Sequence, residues 1–314
     1  MLRLKSERGA ISILVALLMV MLLGFAAIAV DVSAVYAKKQ RLQNGADAAA
    51  LAIAQDCASG ACGTPQVTAQ TLVASNLTGS VTTVLAPTFT SSPNQVTVSA
   101  STINSDIFAP ALGITQTTVN ATATAGWGQP VAGTTVLPLA FSWCAFKAQT
   151  GGGLPSGTTV RTILFTNTDG TSCTGPSGNA VPGGFAWIKP NAGTCQATTS
   201  VTPTGQTPSD TGNSVPAGCS PADMAALLGK TVLLPLYDNA DATGNNAWYH
   251  IYGYVAFRLT GYFFGGQYQS PIPPCSGNSR CVSGYFTKFV DLSQAFTYGA
   301  GSPNLGLSLV TLTH

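Results

Sequence analysis

Gly9–Gln55 reads GAISILVALLMVMLLGFAAIAVDVSAVYAKKQRLQNGADAAALAIAQ, and the rest of the chain is arranged around it. Its first part, Gly9 to Val30, runs 22 residues without a charge. As a helix it extends about 33 Å, enough to cross a hydrocarbon core of about 30 Å. From Asp31 the same helix is expected to continue into water, because no proline interrupts it. The emerging part has an apolar face: Val35, Leu42, Ala46, Ala49 and Ile53 recur at helical spacing, while Lys38, Arg41 and Asn44 lie elsewhere. Gly45 weakens a helix by about 1 kcal/mol relative to alanine and predicts a bend. Gly24, Ala27, Asp31 and Ala34 form a second stripe, small residues plus one acid, of the kind that lets another helix approach closely in a membrane. Asp31 also reads simply as the end of the span.

Working outward, the composition changes after Cys57. Charged residues are 8% of the chain, against a usual value of about 25%. Solubility rests on hydroxyls and amides instead, which suits a β-rich protein outside the cytoplasm. Residues 1–56 carry six Lys/Arg and four Asp/Glu, whereas residues 57–314 carry seven of each. The larger part therefore has no basic footprint, and nucleic acid is not an expected partner. All eight cysteines, Cys57, Cys62, Cys144, Cys173, Cys195, Cys219, Cys275 and Cys281, follow the apolar run. None is in a CxxC pair and the chain has two histidines, so zinc is a weak reading and four disulfides a strong one. Eight cysteines allow about 105 pairings. Cys57–Cys62 and Cys275–Cys281 could close short loops, and Cys144–Cys173 and Cys195–Cys219 are the expectation for the remainder.

Three readings compete for the apolar run. A cleavable signal peptide has an apolar core of about 7–15 residues, shorter than this one, although Ala27-Ile28-Ala29 could serve as a cleavage site. A type IV prepilin leader cut after Gly9 would need a glutamate where Leu14 stands. An uncleaved signal anchor fits better. Lys and Arg flank the run on both sides, so charge does not orient it. The cysteines do: the N-terminus is expected inside, with residues 57–314 extracytoplasmic.

The run and its extension resemble the N-terminal segment of the TadE/TadG-like pilus-assembly proteins of the tight-adherence (Flp) pilus system. The resemblance rests on Arg8-Gly9-Ala10, the apolar run, Asp31-Val32 at its end, the basic stretch, and above all Leu42-Gln43-Asn44-Gly45-Ala46-Asp47-Ala48-Ala49-Ala50-Leu51-Ala52, where the family usually has alanine in place of Gly45. It covers about 50 residues; the remainder resembles the exported regions of actinobacterial members more loosely. The resemblance implies a bitopic envelope protein of pilus biogenesis, with the membrane and other pilin or assembly subunits as partners of the N-terminal helix. It does not imply catalysis. Some related proteins carry a metal-binding DxSxS motif; Asp31-Val32-Ser33-Ala34-Val35 lacks the final serine.

The fold class expected is α+β: the long transmembrane and juxtamembrane helix (1–56), a small pilin-like helix-plus-sheet module (57–128), and a disulfide-stapled mainly-β exported domain (129–314). In the module, residues 64–78 predict a helix with Val67, Leu72 or Thr71, and Leu77 on its apolar side. Val96–Ser99 and Thr117–Ala123 alternate as strands around a compact turn at Phe108–Gly113. Gly126–Gly133 reads as a linker. Strands are then expected at Val136–Phe146, Thr159–Phe165, Phe185–Ile188, Thr231–Tyr237, Trp248–Phe264, Cys281–Val290 and Gly306–Leu312, in a sandwich-like or irregular domain. Gly253 and Gly261 are predicted bulges. Residues 191–223 read as a loop, and Asp223–Gly229 as a short helix after Ser220-Pro221.

Chemistry is sparsely signalled. His250 is the only internal histidine and sits in an aromatic strand, where a structural role is expected. No GxSxG and no framed carboxylate pair occurs. Asp238, Asp241 and Asn245 form the best candidate for a calcium loop, but the same residues make ordinary hairpin turns. No catalytic or cofactor-binding residue and no cofactor is assigned. The function expected is a non-catalytic, membrane-anchored component of a Tad/Flp pilus assembly system, pseudopilin-like or structural. A cell-surface adhesin is the alternative, and an extracellular hydrolase a lesser one that scarce histidine and glutamate disfavour.

Overall fold

Alanine and leucine are the commonest residues of 8–58, and both are strong helix formers. A computed structural model of the chain describes residues 8–202, 206–210, 212–241 and 246–313. In it, α1 (Arg8–Ala58) is one continuous helix. It is long and apolar enough to cross a membrane, and its apolar side chains from Ile13 to Val30 are largely exposed. The chain forms two compact units. One holds the residues up to Asp56, Cys62–Gly126 and the residues from Leu312 on; the other holds Cys57–Ala61 and Trp127–Thr311.

In the first unit the second half of α1 buries most of the predicted face: Leu42, Ala46, Ala49 and Ile53 are fully buried, and Val35 is half-buried. Helix α2 (Pro65–Asn76) packs beside it. A Cβ on Gly45 would lie 3.0 Å from the Cα of Val73, so this glycine admits a close helix approach. It does not break the helix: α1 runs on unbroken through it. The inward face of α2 is Ala69 and Val73, and Leu77, which caps it, is buried as expected; Val67, expected inside, is exposed. The strands are β1 (Thr82–Val84), β2 (Thr88–Ser91), β3 (Asn94–Ser105) and β4 (Gln116–Gly128). β3 pairs with β1, β2 and β4, always antiparallel. The β3–β4 ladder runs without a bulge from Gln95↔Gly126 to Ser105↔Gln116. Its inward residues, Val96, Val98 and Ala100 facing Val119, Ala121, Ala123 and Ala125, are small or β-branched and buried. At its tip, Ala109–Leu112 forms a short 3-10 turn closed by Gly113 at φ 84°.

The second unit starts where a linker was expected. β4 continues to Gly128 and β5 (Pro130–Thr135) follows at once, so Gly126–Gly133 is mostly strand. The remaining strands are β6 (Leu139–Ser142), β7 (Arg161–Leu164), β8 (Ser172–Thr174), β9 (Ala180–Pro182), β10 (Phe185–Trp187), β11 (Ala197–Ser200), β12 (Gln206–Pro208), β13 (Thr231–Ala240), β14 (Trp248–Gly265), β15 (Tyr268–Gln269), β16 (Cys281–Thr287), β17 (Phe289–Asp291), β18 (Phe296–Tyr298) and β19 (Leu307–Thr313). The main sheet runs β10-β6-β13-β14-β16-β7. It curls until its outer strands meet through a parallel bridge between Phe165 and Phe185. This is a curled, self-meeting sheet, the irregular rather than the sandwich-like form of the mainly-β domain expected. Its core includes Phe141, Phe185, Trp187, Leu234, Val255, Phe257 and Phe286.

Three further expectations change. Trp143–Phe146 is not strand: it opens α3 (Trp143–Thr150), because Ser142 Oγ accepts the Ala145 amide as an N-cap and Gly151 at φ 70° ends the helix. Residues 191–223 are not all loop, since β11 and β12 fall there. The helix expected at Asp223–Gly229 spans Pro221–Leu227, with a capping box between Ser220 and Asp223. Both predicted bulges are present: β14 slips register beside Gly253 against β13 and beside Gly261 against β16. Cys144–Cys173, Cys195–Cys219 and Cys275–Cys281 are disulfides, and Cys57 and Cys62 are disulfide-bonded as well.

Candidate functional site

The first charge after the apolar run makes the most specific contact of the first unit. Asp31 lies on the α1 stripe Ala27, Asp31, Val35 and Lys38, which is shielded while its neighbours are exposed. Its carboxylate accepts three backbone amides from the β3–β4 tip. Ile107 N lies 2.9 Å from Oδ1; Phe108 N and Ala109 N lie 2.9 and 2.7 Å from Oδ2. These amides open the 3-10 turn, whose own N-cap residue, Phe108, offers no side-chain acceptor. A carboxylate from α1, 76 to 78 residues away in sequence, therefore supplies the cap.

Burial of the Asp31 carboxyl favours the neutral acid, but the three amide donors outweigh it and hold the group below its ordinary value of 3.8. A folded-state value lowered in this way contributes stability above the ordinary carboxyl range and loses it as pH falls through the lowered value. Protection of the Ile107–Ala109 amides from hydrogen exchange should therefore persist through pH 4 and collapse only below it. At neutral pH, Asp31→Asn should raise exchange at these three amides about tenfold or more, since it removes the charge and one of the two acceptor oxygens. Hydrogen-exchange mass spectrometry reads both effects; exchange unchanged by the substitution would refute the clamp.

Other bonds tie the same elements together. Lys38 Nζ donates to Ile103 O at 2.9 Å. Gln43 Nε2 donates to Thr122 O at 3.0 Å and to Asp47 Oδ1 at 2.8 Å. Asp106, at the base of the tip, accepts from Asn104 Nδ2 and Thr117 Oγ1. Beneath the clamp, α1 and the tip enclose an open apolar groove of about 610 Å³. Of the predicted helix-packing stripe, Gly24, Ala27 and Asp31 line this groove, whereas Ala34 is exposed and lies outside it. A Cβ on Gly24 would meet nothing within 4 Å among the described residues, so none of them uses its small size. The clamp itself is not predicted by the sequence reading. Its one signal is that Asp31 has no Lys or Arg three or four residues away on either side, which leaves an acid in need of donors.

In the second unit, Asp238 and His250 face one another across β13 and β14, with Nδ1 and Oδ1 2.7 Å apart. Asp238 is 1% exposed, so the imidazole satisfies a buried carboxylate, the structural role expected. Among the described residues no hydroxyl bonds to His250 as a nucleophile would. Asp241 accepts the Trp248 amide at 2.7 Å and so braces the hairpin; Asn245 lies outside the described residues. Among the described residues no three His, Cys, Asp or Glu side chains are grouped to hold a metal. Buried tyrosines are held by structural bonds. Burial pushes the Tyr254 hydroxyl up to about 12, and it donates to Thr199 O at 2.7 Å.

Residues 9–56 match the family model described as Putative Flp pilus-assembly TadE/G-like. That interval is α1 without its first residue and its last two, the apolar run, Asp31 and the buried face included. No curated protein sequence and no solved structure matches the chain.

Proposed function

We propose that this protein is a non-catalytic, single-pass membrane component of a Tad pilus assembly system. The observation that carries the reading is the family match over 9–56, laid on a helix that is exposed and apolar to Val30 and folded into a module from Asp31 on. An apolar helix exposed in this way is stable only within lipid or against other helices. Its N-terminus is inside and residues 57–314 are outside; the disulfides support that placement, because thiols stay reduced in the cytosol. α1 engages pilin or assembly-platform helices within the membrane, and the second unit presents a rigid surface outside it. Paired titratable groups in the second unit serve the fold, which supports a structural role rather than hydrolysis. Deleting the encoding sequence in its host should abolish or sharply reduce surface pili in electron micrographs, and re-expression of the full chain should restore them. Unchanged pili would refute the assignment.

A further inference from the structure

The tip of the β3–β4 hairpin carries three large apolar side chains in the open. Ile107, Phe108 and Ile114 are 68%, 48% and 53% exposed. From Ile107 to Gln116 the tip has no charged residue. Apolar side chains exposed singly need no explanation, but three gathered on one uncharged turn form a patch of the kind that marks an interaction site.

Their position supplies the reason. Asp31 fixes the tip against the first turn of α1 beyond the apolar run. The groove beneath it, lined by Phe108, Ala109 and Ile114 on one side, reaches Gly24 on the other. Gly24 lies seven residues before Asp31, about 10 Å further down the helix axis. The tip therefore lies alongside the last turns of the apolar run, at the depth of about 5–10 Å that interfacial apolar elements occupy. Lys39 and Arg41, exposed two to three turns above, stand at the level where headgroup phosphates attract cations.

The backbone of the tip is also prepared for a medium without water. The amides of Ile107, Phe108 and Ala109 go to Asp31, and Pro110 has none. Those of Ala111, Gly113 and Ile114 go to Phe108 O, Pro110 O and Ala109 O. Internally satisfied amides are what a segment needs before it can enter the bilayer boundary.

We infer that the 107–114 tip is a second, peripheral membrane contact, inserted into the leaflet through which α1 leaves the bilayer, with phospholipid acyl chains occupying the groove. The inference rests on the reading of α1 as a membrane span. It makes the first unit a two-point anchor, so that α1 cannot swivel freely relative to the bilayer normal.

The test uses the full chain, reconstituted in phosphatidylcholine–phosphatidylglycerol vesicles containing a phospholipid with a diazirine on its acyl chain. After irradiation, labelled peptides are mapped by mass spectrometry. Ile272, 86% exposed in the second unit, is the background for an apolar side chain in water. The expected result is label on 9–30 and on 107–114, the latter about tenfold above Ile272. The triple variant Ile107→Asn, Phe108→Asn, Ile114→Asn should lose tip label and keep that on 9–30. Label on 9–30 with the tip at background overturns the inference and leaves the anchor intact. The same pattern, with chains joined at groove residues when a bifunctional crosslinker is added in parallel, overturns it in favour of a second helix as occupant. Background label on both segments overturns the anchor and the inference together.

Discussion

Replacing Cys144 and Cys173 with serine is expected to destabilise the second unit by about 3.5 kcal/mol. The bridge closes a loop of 29 residues, and restoring that loop's freedom to the unfolded chain stabilises it by this order. The bridge also has local work. Cys144 sits in the first turn of α3 and Cys173 in β8, whose hairpin partner β9 carries the fully buried Val181. Without the bond, this two-stranded hairpin is held by the packing of Val181 against Tyr237 and its neighbours and by the bond from Ser177 Oγ to Asp238 O. Cys275–Cys281 has a sequence separation of 6, and its removal should cost about 2 kcal/mol on the same reasoning. Urea unfolding of the two double variants should therefore place the 144/173 midpoint lower. Equal midpoints would discard the loop-entropy account. Free thiols in protein taken from the native envelope would discard the extracytoplasmic placement as well.

Phe141→Ala is expected to cost a further 3–5 kcal/mol, the range for emptying a buried phenylalanine site. Phe141 is 1% exposed, and its ring lies 4.7 Å from that of Phe257 and 5.1 Å from that of Phe286. Its backbone is equally committed, since it pairs with Phe185 on β10 and with Leu236 on β13. β6 is thus the strand at which antiparallel and parallel pairing meet, and its neighbours have little freedom to collapse into the cavity. Because Phe286 contacts the same rings, Phe141→Ala with Phe286→Ala should fall short of the sum of the single losses. Thermal and urea unfolding measure these terms. A single-variant loss below about 1 kcal/mol would mean that the site repacks and that the ring cluster is not the keystone of the sheet.

How much of this was legible in the sequence depends on range. The buried face of α1 was legible because a helix repeats every 3.6 residues, so Leu42, Ala46, Ala49 and Ile53 declare themselves. The β14 bulges were legible because glycine interrupts a strand for few reasons. Trp143–Phe146 misled because its aromatic run favours strand, while the N-cap of Ser142 and the left-handed Gly151 decide the matter locally. Gly126–Gly133 misled for the opposite reason: glycine and proline suggested a linker where partner strands β11 and β18 hold β5 straight. The Asp31 clamp lay out of reach. An acid at a helix position names no partner, and only the fold brings the 107–109 amides to it. For the same reason nothing in the sequence signalled that Gly45 admits α2.

The division of the chain has a consequence in time. The first unit is left at Gly126 and rejoined only at Leu312, with 185 residues in between. Yet Thr313 Oγ1 donates to Thr124 O at 3.4 Å, and Leu312 and Thr313 help line a cleft with Gln43, Asp47 and Thr122. At synthesis rates of about 5–20 residues per second, roughly 10–40 s pass between delivery of β4 and delivery of Thr313. For that interval α1 and the β3–β4 hairpin are already present while the place beside Thr124 stands empty. The first unit is therefore completed only after every residue of the second, from Trp127 to Thr311, has been synthesised.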